Sequence, residues 1–221
     1  MKLQYLGDSK DSFKWDYHDY LVSELGYPRI NIILMLTPDD HSHDGKTRPE
    51  LYPARESVIL FCQRLREEQN IQLLYKLPKA TRASYLVDLH KPDIYFDHQN
   101  RREYFYGLAN KGNCLFLLDP DNGFEPERSS NNKHVLYSDI NAILNQMSEK
   151  SVISVFQHFR RIPFDRDFVR IKERVASDHV AAVYWHFLMF IAIAKTKETI
   201  LKVITANYQY SQKYPVVRLL R

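Results

Sequence analysis

"CLFLLDPDNGFEPE", residues 114–127, is an apolar run that turns abruptly acidic and turn-prone. Residues 114–119 are uniformly apolar up to Asp119, which predicts a strand buried on both faces, as in a parallel sheet. Pro120 bars the ladder from continuing, and Gly123 can take a positive φ. The strand tip therefore presents Asp119, Asp121 and Asn122. A turn in which Asp and Asn cap their own backbone accounts for part of this. Two adjacent carboxylates also repel unless a cation or donor offsets them, so the tip is a candidate site.

Working outward, two further runs have the same buried character: "RINIILMLT" (29–37) and "SVISVFQHF" (151–159). Between and around them the apolar spacing predicts helices over 11–25, 56–70, 138–147 and 164–178, with Ser138 as a cap. Strands are expected at 71–77, 93–98 and 102–109, and a short helix at 82–90. The last third of the chain is expected to add two further strands. The fold class that follows is α/β: a single Rossmann-like, three-layer domain over 1–221, with a mostly parallel sheet and an antiparallel strand at the C-terminal edge. In such sheets ligands sit beyond the carboxyl ends of the strands. The segments past Leu36, Leu118 and Phe156 would then share one crevice.

Composition sets wide bounds. With 221 residues, 44% hydrophobic, 26% charged and a net charge of +4, the chain reads as one globular domain that permits a nucleic-acid or nucleotide partner. Cys62 and Cys114 lack metal spacing and read as core thiols of a cytoplasmic protein. No signal core opens the sequence. The longest apolar stretch, 180–195, is shorter than a bilayer span and contains His186, so it reads as core and no membrane partner is expected.

Three more groups fall at the expected crevice. "TPDDHSHDGK" (37–46) offers Thr37, Asp39, Asp40, Gly45 and Lys46; its carboxylates suit a divalent cation, but the spacing is not a zinc signature. "QHFRR" (157–161) places His158 as a base and Arg160 as a phosphate ligand. "GDSKDSFKWD" (7–16) carries Asp8, Lys10 and Asp11 at a helix start, where they read as caps, and Lys14 one turn in, within reach of a phosphate.

The order of these parts resembles a class I methyltransferase-type Rossmann fold. It is similar to ribosomal-RNA adenine methyltransferases of the RlmJ type and to three-Cys-motif partner proteins, and to a bacterial group sharing "GDxxDxxK", "TPDD", "DPDNG" and "QHF". The resemblance implies S-adenosylmethionine held at Thr37, Asp39, Asp40 and Gly45, with the acceptor at Asp119, Asp121, Asn122 and His158 and substrate phosphate at Lys14, Lys46 and Arg160. Two features depart from it. The loop after the first strand has one late glycine, and Asn122 stands where an aromatic residue would stack on a flipped base. The leading expectation is a methyltransferase-like enzyme acting on nucleic acid or a nucleotide. The alternatives are a magnesium- or manganese-dependent phosphodiester or nucleotide hydrolase, with Asp39, Asp40, Asp119 and Asp121 on the metal, and a non-catalytic nucleotide- or protein-binding module.

Overall fold

The computed structural model describes residues 1–39, 45, 47–108 and 112–221. Its strands are β1 (Arg29–Ile33), β2 (Leu86–Leu89), β3 (Leu115–Leu118), β4 (Gly123–Phe124), β5 (His134–Val135), β6 (Val152–His158), β7 (Val180–Trp185), β8 (Leu188–Ala194) and β9 (Arg218–Leu220). Its helices are α1 (Ser9–Glu24), α2 (Glu56–Glu68), α3 (Leu77–Thr81), α4 (Arg101–Phe105), α5 (Tyr137–Gln146), α6 (Phe164–Arg174) and α7 (Lys197–Lys213). Among the described residues, one sheet of seven strands runs β2-β1-β3-β6-β8-β7-β9, and β4 and β5 form a small parallel pair. The strands β2, β1, β3 and β6 are parallel; β8 runs against both β6 and β7, and β9 against β7.

The apolar runs are explained by burial on both faces. On β1, β3 and β6, Ile30, Ile32, Leu115, Leu117 and Val152 face a core made with α1, α2, α3 and α7. The alternate residues Ile33, Phe116, Leu118, Ile153 and Val155 face a second core made with α4, α5 and α6. A strand with both faces covered has no polar side to show, so the period-2 signal disappears. The strand order turns back between β1 and β3: β2 lies on one side of β1 and β3 on the other. That places a crevice outside their carboxyl ends.

Helix α1 is docked by buried polar contacts. His18 Nδ1 donates to the Lys14 carbonyl (2.7 Å), and Ser154 Oγ on β6 donates to His18 Nε2 (2.8 Å). The second bond requires the neutral ring, and burial pushes the imidazole down to about 3. Asp16 and Asp19, both buried, receive Arg55 at the start of α2: Nε to Asp16 Oδ1 at 2.5 Å and Nη2 to Asp19 Oδ2 at 2.7 Å. The hydroxyls of Thr81, Tyr85 and Tyr210 complete their coordination.

Several sequence expectations are corrected. Residues 71–76 form a 3-10 turn leading into α3, not a strand; Leu73, Leu74 and Leu77 are buried at helical spacing, and Pro78 suits a first helical turn. The expected short helix at 82–90 contains β2, with Tyr85 and Val87 buried and Leu86 63% exposed between them. The expected strands at 93–98 and 102–109 are not strands among the described residues; α4 lies there instead. Helix α5 starts at Tyr137, so Ser138 lies inside it rather than capping it. The C-terminal third holds α7 as well as strands: Thr196 caps it, and Ile200, Val203, Ala206 and Tyr210 are buried at helical spacing. Within 180–195 the core reading holds for both strands but not for His186 and Phe187, which form an exposed hairpin tip.

No helix among the described residues is long and apolar enough to cross a membrane.

Candidate functional site

The site begins where α1 begins. Gly7 has φ +76, and a Cβ there would stand 2.1 Å from the Cys62 carbonyl oxygen, so only glycine fits against α2. This close approach delivers Asp8 to the N-cap, where its carboxylate accepts the Asp11 N–H (2.9 Å). Asp11 in turn accepts the Gly7 N–H (2.9 Å) and Lys14 Nζ (2.7 Å). Lys14 Nζ also reaches Asp119 Oδ2 at 2.6 Å, just past β3. The ammonium is thus clamped between helix and strand tip, 5.0 Å from the Trp15 ring centroid and 5.8 Å from that of Phe156. Burial alone would lower its pKa; the two carboxylates more than reverse this and raise it.

The turn after Asp119 folds back on the same crevice. Asp121 accepts the Thr37 hydroxyl (2.5 Å) and pairs with the Met1 ammonium (2.7 Å). That ammonium also donates to the carbonyls of Leu34, Met35 and Asp119, and Thr37 N–H donates to the Met1 carbonyl (2.8 Å). Asn122 turns away from this cluster: its N–H bonds Lys133 O, and its side-chain amide meets His134 Nε2 at 3.4 Å. Gly123 (φ +103) packs on β6, and Phe124 N–H donates to Gln157 Oε1 (2.8 Å). A Cβ on Gly123 would stand 2.2 Å from that oxygen. Gly123→Ala is therefore expected to cost about 1–3 kcal/mol in urea unfolding. A loss under about 0.5 kcal/mol would show that the Gln157 contact is dispensable.

His158, at the end of β6, donates from Nδ1 to the Phe159 carbonyl (3.1 Å), which leaves the Nε2 lone pair to face Lys10 Nζ at 3.4 Å. Together these groups enclose a cavity of about 50 Å³. Asp8, Lys10, Asp11 and Lys14 come from the start of α1, Asp119 and Asp121 from the tip of β3, Phe156 and His158 from β6, and Tyr5 closes one side. Burial, and next the negative charge of Asp11, push the Asp8 carboxyl up to about 7.

Of the expected site residues, Lys14, Asp119, Asp121 and His158 therefore meet at one cavity, with Thr37 bonded to Asp121 behind it. Asn122 points toward His134 instead. Arg160 is committed to Asp167 (Nη2–Oδ1, 2.6 Å) and to the Phe124 carbonyl (2.8 Å). Asp39 is exposed, and Gly45 lies against Tyr5. Asp40 and Lys46 lie outside the described residues. Sequence reasoning took Asp8, Lys10 and Asp11 for caps and passed over Tyr5 and Phe156. Asp8 is indeed a cap; a cap that also walls a cavity looks the same in sequence.

Next to β1 the described residues differ from the cofactor turn that the resemblance implies. Past β1 the chain carries buried Leu34, Met35 and Leu36 where a glycine turn would admit a ligand, and Met1 and Lys2 are packed over them. Past β2 stand His90 and Lys91, with Asp93 two positions further on. Among the described residues no three carboxylate, imidazole or thiolate groups converge to hold a metal ion. No protein-family model matches the chain, and no curated protein or solved structure is significantly similar to it.

Proposed function

We propose that this chain is an acid–base hydrolase on a Rossmann-like, methyltransferase-type scaffold, acting on a phosphate ester of a nucleotide or nucleic acid. The strand order, with its reversal between β1 and β3 and the β7–β8 hairpin returning beside β6, supports the scaffold. The observation that carries the reaction is the cavity: a carboxyl that keeps its proton to about neutrality and an imidazole whose Nε2 faces Lys10 Nζ line a space sized for one or two water molecules. Buried Leu34, Met35 and Leu36 after β1 favour hydrolysis over methyl transfer in this reading.

In the proposed step, water in the cavity attacks the phosphorus of a substrate lying across the mouth. His158 Nε2 takes the proton of the water, and Asp8 gives its own proton to the departing oxygen. The P–O bond to water forms as the ester P–O bond breaks. Solvent then returns a proton to Asp8 and removes one from His158. Lys10 neutralises charge gathering on the phosphoryl oxygens. Lys14 holds Asp11 and Asp119 in place and does not itself react.

The test is incubation with a panel of nucleotides and mixed DNA and RNA oligonucleotides, with products read by mass spectrometry. Turnover by the unmodified protein is expected to fall as pH rises through about 7, because the acid loses its proton there. Asp8→Asn should lower turnover about 100-fold or more and abolish that alkaline limb. Turnover in Asp8→Asn equal to wild type would remove the reading. Products one methyl heavier in the presence of S-adenosylmethionine would replace it with the methyltransferase reading. Cleavage that requires added magnesium or manganese would replace it with the metal-dependent one.

A further inference from the structure

Beside the mouth of the cavity the chain turns against its own backbone preference. Trp185 pairs with Leu188, so β7 and β8 are joined by two residues, His186 and Phe187. His186 has φ +53. A positive φ at the first position of a two-residue hairpin loop is glycine's place. The chain puts an imidazole there, and that ring is engaged: its Nδ1 lies 2.7 Å from the Tyr52 hydroxyl. Phe187 is 46% exposed, its ring centroid 3.9 Å from that of His186 and 6.1 Å from that of Phe159. Phe159 N–H donates to the Phe187 carbonyl (2.8 Å), which pins the hairpin tip to the strand end that carries His158. On the other side, Tyr52 stands close enough to Asp8 to feel its charge. Burial first, and that charge second, push the Tyr52 phenol up to about 12. The tip is thus tied to the strand end that carries His158 and, through Tyr52, to a group that senses Asp8. A strained turn that gives up glycine in order to hold two rings at the edge of a charged cavity points to a ligand with a flat face.

We propose that His186 and Phe187 form the wall on which the nucleobase of the substrate stacks, with Tyr52 fixing the imidazole ring. The inference rests on the acid–base reading and narrows its substrates to esters that carry a planar base. Stacking of this kind accepts any base, since each has a π-face.

Calorimetric titration with adenosine monophosphate and with ribose 5-phosphate tests it. The unmodified protein is expected to bind the nucleotide about tenfold more tightly than the sugar phosphate. Phe187→Ala and His186→Gly should each bring that ratio close to one, and Phe187→Trp should keep it. His186→Gly should melt at or above the wild-type temperature, since its turn gains the residue the backbone favours. That outcome separates a ligand role from a structural one. A wild-type ratio of one, or an unchanged ratio in both Phe187→Ala and His186→Gly, overturns the stacking wall. Asp8→Asn run alongside keeps the two readings apart: its turnover reports on the acid–base step, its binding ratio on the wall.

Discussion

Arg55→Ala is expected to destabilise the fold by about 3–5 kcal/mol, a large fraction of the total stability of a domain this size. Arg55 is the cation facing both Asp16 and Asp19, whose side chains are 0% and 1% exposed. Tyr85, Thr81 and Tyr210 donate hydrogen bonds to these carboxylates but bring no charge. Removing the guanidinium leaves two buried anions on one face of α1. Asp16→Asn with Asp19→Asn in the Arg55→Ala background should recover part of the loss. Urea unfolding measures this; a loss below about 1 kcal/mol would place the strength of α1 docking elsewhere.

Lys14→Met should have an effect of similar size, about 3–5 kcal/mol, for a related reason. Lys14 Nζ is 2.7 Å from Asp11 and 2.6 Å from Asp119, so its loss leaves two buried carboxylates facing one another across the gap it filled. Methionine keeps the apolar stem against Trp15 and Phe156, so the experiment isolates the charge. Adding Asp119→Asn should restore stability, because an amide can donate to Asp11. If the double variant is less stable than Lys14→Met, the ion pair does not hold the β3 tip. The two substitutions are expected to differ in one respect. Arg55→Ala should spare the cavity geometry in whatever protein remains folded, whereas Lys14→Met should also disturb Asp8 through Asp11.

How far the sequence could be read depended on how each element meets water. The strands β1, β3 and β6 stood out because burial on both faces gives them unbroken apolar runs. The strand β2 did not, because Leu86 points outward and masks the alternation of Tyr85 and Val87. Helix α7 reads as strand in sequence because its β-branched residues, Thr199, Ile200, Val203 and Ile204, carry strand propensity that tertiary packing overrides. The hairpin between β7 and β8 was invisible since its turn is His-Phe, without glycine or asparagine to mark it. At the site, Asp119, Asp121 and His158 were legible as polar ends of apolar strands. Asp8 was not, because its capping role explained it already. No local pattern could reveal that Tyr52 and His186, 134 positions apart, would meet.

The clasp between α1 and α7 has a consequence for biosynthesis. Tyr17 bonds Asn207, and Asp16 bonds Tyr210, across 190 and 194 positions. A nascent chain therefore lacks these two partners of α1 until residues 207 and 210 have been synthesised. Arg55, Thr81 and Tyr85, made much earlier, are the partners its acids have until then.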